Sequence, residues 1–412
     1  MKYGLIGEHL GHSFSKEIHE SIADYEYELC EIEPDKLGEF FESSDICGIN
    51  VTIPYKERVI PYLDFVSESA LKIGAVNTVK NENGRLCGYN TDYMGMKALI
   101  LRNNIDLKGK KALVLGNGGT SKTGQTVLAD LGVRELIVVG RPCENPDVTY
   151  DEVAKIHSDA DFILNTTPVG MYPKNEGKII DLGDFPTLIG VIDVVYNPLR
   201  TNLVLDARRR GISAEGGLYM LVAQAVYACE IFTGKEIGED VCVSTFNKIF
   251  KDKENIVLVG MPSSGKSTVG AQLARMTGRT LIDTDDLVVE KLGMPIAEFL
   301  KTHPESEFRD VESEAVKEAA SKNGVIIATG GGAILRNENV TYLKQNSRLY
   351  FLNRSLEKLI PTADRPLSSS IEALKQRYDE RYGKYIACAD VTVDGDGTPE
   401  EVAEIIKGEF FK

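Results

Sequence analysis

The chain has 412 residues, 42% apolar and 26% charged, with 62 acidic against 47 basic side chains and a formal net charge of −15. That length predicts two or three domains, and the composition excludes wholesale disorder. The charge is −11 over residues 1–250 and −4 over 251–412, so neither half offers the basic surface that nucleic acid needs. No apolar run reaches the ~18 residues of a membrane span; the best candidate, Leu218 to Phe232, carries Gln224 and Glu230. No long apolar leader follows Met1–Gly7, so no secretory signal is expected. The seven cysteines are odd in number, lack any C-x-x-C and stand at least thirteen apart. Reduced thiols and a cytoplasmic location follow, rather than a disulfide framework or a zinc site. His9 and His12 have no second pair of ligands and read as loop histidines.

Short apolar runs alternate with amphipathic stretches, the pattern of α/β folds. Over roughly 1–100, strands are predicted at Tyr3–Gly7, Tyr27–Ile32 and Gly48–Ile53, with a helix over Ser15–Tyr25. Polar groups cluster just past these runs: Asn50-Val-Thr52-Ile-Pro54-Tyr-Lys56, Gly74-Ala-Val-Asn77-Thr78 and Gly88-Tyr-Asn90-Thr91-Asp92. Open α/β sheets hold ligands at such strand ends. A lysine and an aspartate gathered there could exchange a proton with a carbonyl oxygen; taken alone they would read as a surface ion pair.

A second block opens with the apolar run Lys111–Leu115, the loop Gly116-Asn117-Gly118-Gly119-Thr120-Ser121, a predicted helix over Thr120–Leu131 and a strand over Glu135–Val139. This is a βαβ opening close to G-x-G-x-x-G, with Ser in the last place. Gly140-Arg141 follows the next strand, where an NAD site usually places an acid; a cation there favours the 2′-phosphate of NADP. Strand-like Val191–Val195 and helix-like Asn202–Arg210 come next. The charged stretch Lys248–Glu254 reads as a linker.

Beyond it, Asn255–Val259 reads as a buried strand. Gly260-Met-Pro-Ser263-Ser264-Gly265-Lys266-Ser267-Thr268 then matches G-x-x-x-x-G-K-[ST] in full, between strand and helix. Backbone N–H groups and the helix N-terminus would wrap phosphates, Lys266 would neutralise them, and Ser267 could ligate Mg2+. Asp283-Thr-Asp285 follows a short strand, Thr280–Ile282, and could divide labour between metal and acceptor hydroxyl. The two glycine loops lie 144 residues apart and differ in type, which predicts two separate nucleotide sites rather than a repeat.

After the P-loop come Phe308-Arg309-Asp310, Gly330-Gly331-Gly332, Asp364-Arg365-Pro366-Leu367 and Arg381-Tyr-Gly-Lys-Tyr385. With this ordered set, residues 255–412 resemble shikimate kinase. The resemblance implies Lys266 and Ser267 for the nucleotide and Mg2+, with Asp283 supporting the metal. It implies Asp285 on the acceptor hydroxyls as base, Arg309 and Arg381 on the substrate carboxylate, and Gly330, Gly331 and Gly332 against the ring. Arg365 would reach the transferring phosphate from a lid. Paired guanidinium forks suit a carboxylate held in a fixed plane. The chain departs from the family before Arg365, where Leu359-Ile-Pro-Thr-Ala-Asp364 lacks the arginine that often flanks ATP. Lys358 is the expected substitute, and the stretch from Arg365 to Arg381 is short for the family.

In the first half, Gly11-His12-Ser13-Phe14-Ser15, N-V-T-x-P-x-K, G-A-V-N-T, N-T-D, Asn165-Thr166-Thr167-Pro-Val-Gly-Met171 and Leu221-Val-Ala-Gln-Ala225 follow one another. Residues 1–245 thereby resemble shikimate dehydrogenase. The resemblance implies Lys56 and Asp92 as the catalytic pair. Ser13, Ser15, Thr52, Asn77 and Gln224 would surround the substrate, with Tyr196 at its edge. Gly116, Asn117, Gly118, Gly119 and Thr120 would hold the cofactor pyrophosphate, with Asn165, Thr166 and Thr167 along the cofactor. The family often has Ala at Thr166 and a second cation at Asn145. That difference predicts weaker selectivity for NADP.

The implied architecture is α/β throughout. A two-lobed dehydrogenase (1–247) has a substrate lobe (1–100 plus 218–247) and a Rossmann-like NADP lobe (101–217). A linker (248–254) leads to a P-loop kinase domain with a parallel sheet (255–412). The implied activities are NADPH-dependent reduction of 3-dehydroshikimate and ATP-dependent phosphorylation of shikimate, with Mg2+ as metal and these small molecules as partners. Nothing in the sequence specifies an oligomeric state. Rival readings are a quinate-preferring NAD enzyme, a kinase for another metabolite, or a metabolite sensor with silent sites. Arg141, the arginine pair Arg309 and Arg381, and the intact reactive groups argue against each in turn.

Overall fold

The computed structural model describes residues 2–11, 13–43, 45–359 and 371–412. Two compact units divide the chain, Met1–Ile249 and Phe250–Lys412.

The first unit contains two sheets. Strands β1 (Tyr3–Gly7), β2 (Glu28–Glu31), β3 (Gly48–Val51), β4 (Phe65–Val66), β5 (Thr78–Glu82) and β6 (Arg85–Tyr89) pair in the order β2-β1-β3-β5-β6-β4. β1 runs parallel to β2 and β3, while β5 and β6 form an antiparallel hairpin beside β3. Strand β3 is buried along its whole length. The expected helix over Ser15–Tyr25 closes at Ile22, because the following chain must turn back into β2. The helix Leu218–Thr233 packs on the helices Thr91–Arg102 and Ser15–Ile22. Gly95 makes the close approach possible, since a Cβ there would lie 2.6 Å from the Met220 carbonyl.

The second sheet is built from β7 (Lys111–Leu115), β8 (Glu135–Gly140), β9 (Val148–Thr149), β10 (Phe162–Asn165), β11 (Gly190–Asp193) and β12 (Ser213–Glu215). Its order is β12-β11-β10-β7-β8-β9, parallel throughout. This is the doubly wound arrangement, with its switch point between β7 and β10, where ligands enter beyond the carboxyl ends of the strands. Strands β7, β10 and β11 are buried along their whole length, as sheets covered on both faces require.

The division between the units falls within 248–254, the stretch expected as a linker, but that stretch is helical. Residues Glu239–Lys253 form one helix that passes through it. Cys242, Thr245, Phe246 and Ile249 provide its buried stripe, so the charges near its end occupy a helix surface rather than a free connector.

The second unit carries β13 (Asn255–Val259), β14 (Leu281–Asp283), β15 (Ile326–Ala328), β16 (Ser347–Asn353) and β17 (Val391–Asp394), parallel in the order β14-β15-β13-β16-β17. Apolar clusters cover the sheet, one around Val257, Ile327 and Phe351 and another around Ile256, Leu258 and Phe410.

Candidate active sites

In the first unit a cleft of about 430 Å3 is lined by residues around the first sheet and by Thr120, Met171, Tyr172, Val194, Tyr196 and Asn197 from beyond the strand ends of the second. Ser13, Ser15, Thr52, Lys56, Asn77, Asp92, Thr120, Tyr196 and Gln224 all face it. The loop after β3 is pinned to the segment before β5: Val51 N–H donates to the Asn77 carbonyl and Val76 N–H to the Lys56 carbonyl, both at 2.8 Å. This places Lys56 beside the helix Thr91–Arg102. Asn90 caps that helix, its side chain accepting from Tyr93 N–H at 3.1 Å. Asp92 sits in the first turn, where the helix dipole favours a carboxylate. Lys56 Nζ donates to Asp92 Oδ2 at 2.6 Å.

A buried amide network backs the pair. Tyr27 OH donates to Asn50 Oδ1 at 2.7 Å, and Asn50 Nδ2 donates to Thr78 Oγ1 at 3.0 Å. Asn77 Nδ2 donates to Thr91 Oγ1 at 3.1 Å, and Asn77 Oδ1 accepts from Thr91 N–H at 2.7 Å. Thr91 Oγ1 donates to Gln224 Oε1 at 3.4 Å, bringing in the distant helix. Asn50 was not among the expected site residues. Its signal was its place in the N-V-T-x-P-x-K run, at a strand end beside the cleft.

Gly116, at φ +99°, ends β7, and a Cβ there would lie 2.8 Å from the Thr167 methyl. Gly118 and Gly119 face open space at the start of the helix Gly119–Asp130, where no side chain caps the free N–H groups. That start is suited to a pyrophosphate. Asn165 departs from the expectation of cofactor contact. Its Nδ2 donates to Asp193 Oδ1 at 3.0 Å, and its Oδ1 accepts from Thr167 N–H and Oγ1 at 3.0 and 2.7 Å. The Asn165 side chain holds the loop rather than facing the cleft, and it is 1% exposed. Thr166 Oγ1 donates to the Leu115 carbonyl at 2.7 Å. Burial lifts the Asp193 carboxyl to about 6, against the opposing hydrogen bonds from Thr201, Val195 and Asn165. Arg141 is exposed directly after β8.

In the second unit a cavity of about 940 Å3 is lined by the P-loop, Asp283, Asp285, Arg309, Glu312, Gly330–Gly332, Arg377 and Arg381. Gly265, at φ +91°, opens the helix Lys266–Thr277. Lys266 Nζ donates to the Gly260 and Met261 carbonyls at 3.0 and 2.8 Å. Ser267 Oγ donates to Asp283 Oδ2 at 2.6 Å. Two oxygen donors side by side fit Mg2+, which keeps waters and binds through few protein ligands plus phosphate. Asp283 also caps the helix Thr284–Leu292 through Asp285 N–H at 3.0 Å, and this aims Asp285 into the cavity.

Arg309 is gripped by its own helix, Glu305–Ala320. Its Nη1 donates to Glu312 at 2.6 Å, and its Nε and Nη2 donate to Glu305 at 3.1 and 2.6 Å. Burial opposes the Arg309 charge, and the two glutamates overcome it, so the net shift is upward. Burial lifts the Glu312 carboxyl despite Arg309. Arg381 Nη1 donates to the Gly331 carbonyl at 3.0 Å, and burial lowers its pKa. Gly330 and Gly332 are required by crowding: a Cβ would lie 2.6 Å from Asp285 Oδ1 at the first and 2.1 Å from Arg309 Nη1 at the second. Glu312 was missed by sequence reasoning. Its signal is the i, i+3 spacing from Arg309 on one helix face.

Lys358, expected to replace the ATP-flanking arginine, is engaged elsewhere. Its Nζ donates to the Asp396 carbonyl at 3.2 Å and pairs with the Asp396 carboxylate at 3.5 Å. Arg365 lies outside the described residues.

These features define the class: a two-lobed α/β dehydrogenase joined in one chain to a P-loop kinase. Family models match residues 5–79 as a shikimate dehydrogenase substrate-binding domain and residues 262–409 as shikimate kinase. The shikimate dehydrogenase (NADP(+)) of Clostridium beijerinckii is 39% identical over 247 residues, covering 56% of this chain and 91% of that protein. That of Caldicellulosiruptor bescii is 38% identical, covering 55% and 87%. Among solved structures, shikimate dehydrogenase 1 from Peptoclostridium difficile aligns with a TM-score of 0.57 and 36% identity, covering 60% of this chain and 98% of that one. A chorismate mutase/shikimate 5-dehydrogenase fusion from Clostridium acetobutylicum gives 0.57 and 37%, covering 60% and 96%. The chain belongs to the shikimate dehydrogenase family, and a shikimate kinase domain follows in the same polypeptide.

Proposed function

We propose that this protein carries out two successive reactions of aromatic amino acid biosynthesis. The first unit reduces the ring ketone of 3-dehydroshikimate, and the second phosphorylates the resulting 3-hydroxyl to give shikimate 3-phosphate. The observation that carries the first assignment is the Lys56–Asp92 pair, 2.6 Å apart in a cleft that also reaches Thr120 of the glycine loop. NADPH, when held by the Gly116–Thr120 loop, would supply the hydride for the carbonyl carbon. The Lys56 ammonium, oriented by Asp92, gives its proton to the carbonyl oxygen. Ser13, Ser15, Thr52, Asn77, Tyr196 and Gln224 orient the ring. Asn165 and Asp193 set the cofactor loop from behind.

In the second unit Arg309 and Arg381 bind the shikimate carboxylate in a fixed plane. Gly330–Gly332 let the ring approach the backbone. Asp285 accepts the proton of the 3-hydroxyl as its oxygen bonds to the γ-phosphorus and the bond to ADP breaks. Lys266 balances charge on the phosphates, and Ser267 and Asp283 would hold an Mg2+ that would add to this. By the family resemblance, Arg365 would neutralise charge on the transferring phosphate. The dehydrogenase spans 1–247, and the kinase domain begins at 255.

Free thiols at all seven cysteines support placing the protein in the cytoplasm, and among the described residues no helix is long and apolar enough to cross a membrane. The test supplies 3-dehydroshikimate, NADPH and MgATP and identifies products by mass spectrometry. Shikimate 3-phosphate is expected. Recovery of shikimate alone would remove the kinase assignment, and unchanged 3-dehydroshikimate would remove the dehydrogenase assignment.

A further inference from the structure

We propose that Arg354 is a nucleotide-binding residue of the kinase, its guanidinium engaging the phosphate chain of ATP on the side facing away from the acceptor. The inference rests on the phosphoryl-transfer reading of the same loop.

The strand order places the two substrates on opposite sides. The P-loop follows β13, the central strand of β14-β15-β13-β16-β17. The acceptor groups come from one flank: Asp285 after β14 and Gly330–Gly332 after β15. In-line transfer sets the attacking hydroxyl and the leaving diphosphate on opposite faces of the phosphorus. The nucleoside end therefore leaves over the other flank, β16 and β17.

Arg354 is the residue directly after β16. Register brings it there: Val259, the last residue before the P-loop, pairs with Phe351. Its Nη1 lies 3.6 Å from where a Cβ on Gly265 would stand, beside the opening N–H groups of the helix Lys266–Thr277. The stem passes close over Gly395, where a Cβ would lie 3.4 Å from the Arg354 Cβ. Its neighbours are clamped. Ser355 N–H and Oγ donate to Asp396 at 2.8 and 3.0 Å, and Lys358 is tied to the same residue. The backbone carrying Arg354 is thus fixed between the P-loop and the loop after β17.

The guanidinium itself is left over. Arg354 Nε is buried without a hydrogen-bond partner among the described residues, and no side-chain acceptor pairs with its Nη atoms there. The side chain is partly buried, and its buried Nε–H, without an acceptor, is costly until an anion completes it. The anion that this loop is built to receive is a polyphosphate. Arg354 therefore supplies, from a strand end, the cation that the 359–364 segment lacks.

The test uses the full chain and two readouts, the KM for ATP and the Kd for MgADP by calorimetry. One charge-assisted contact of this kind gives about a 10- to 50-fold loss in Arg354→Ala on both readouts. The KM for shikimate and the NADPH-dependent rate stay within about twofold, which also reports an intact fold. Arg354→Lys recovers most of the loss, and Arg354→Met, which keeps the stem without the charge, behaves like Ala. Unchanged MgADP affinity in Arg354→Ala, or full recovery by Met, would overturn the proposal while leaving the kinase reading intact. A wild-type chain that neither binds MgADP nor phosphorylates shikimate would overturn both.

Discussion

Arg309 has three of its five N–H donors held on its own helix, by Glu305 and Glu312 at 2.6 to 3.1 Å, which leaves one on each Nη for a carboxylate. Glu312 is 2% exposed, so neutralising it would strip a buried guanidinium of the buried one of its two counter-charges. We expect Glu312→Gln to raise the KM for shikimate about tenfold, or roughly 1.4 kcal/mol, with the KM for ATP unchanged. Parallel rise of both constants would show a packing role instead. Arg141 is the residue-scale counterpart in the dehydrogenase. It is exposed directly after β8, and we expect it to act on the cofactor's 2′-phosphate. Initial rates for Arg141→Ala should show a higher KM for NADPH and an unaltered KM for NADH; equal effects would remove Arg141 from cofactor choice.

Among the elements, the ends of β10 and β11 act as one piece. Asp193 accepts from Asn165 across the two strands and from Thr201 at 2.6 Å, and Asn165 in turn shapes the turn that touches Gly116. Burial lifts Asp193 to about 6, whereas an unfolded carboxyl titrates near 4. Between those values the native state holds more protons than the unfolded one, so stability from this group falls as pH rises across about 4 to 6. The shift corresponds to roughly 3 kcal/mol. Urea unfolding of the wild-type chain should show this slope and Asp193→Asn should lose it, with the KM for NADPH raised severalfold by the loosened loop. A slope retained in the variant would assign the pH dependence to other groups. Much at this scale was legible in the residues. The strands Lys111–Leu115 and Asn255–Val259 stand where their apolar runs end in glycine. The helix through 248–253 was not, because its buried stripe is shared with residues upstream of the charged stretch.

For the whole molecule, the division at Ile249 and Phe250 predicts separable chemistry. Lys56→Ala should abolish the reductase and leave kinase turnover near normal, and Lys266→Ala should do the reverse, read by the two coupled assays on one preparation. Loss of both activities from either substitution would sink the model of independent sites. Added shikimate should equilibrate with the intermediate in an isotope-dilution assay if the product is released between sites; exclusion of the added pool would show direct transfer. The long-range order inside the first unit is tertiary in origin. Tyr25 OH lies 2.8 Å from His19 Nδ1 and 2.9 Å from Cys229 Sγ, so the first helix and the helix Leu218–Thr233 close on one another, His19 and Cys229 being 210 residues apart.

The chain's own order of residues determined the α/β class, the two glycine loops and the reactive set, because each of those is a local spacing: strand, turn, helix start, and a charged group at a fixed offset. Sequence distance carries no information about which strand ends share a sheet edge. Only the folded sheets decided that Gln224 meets Thr91, that Asn165 turns inward to Asp193, that Lys358 is tied to Asp396 and that Arg354 stands over Gly265. Those pairings follow from strand order and register, which are fixed by burial of apolar faces contributed from the whole of each unit.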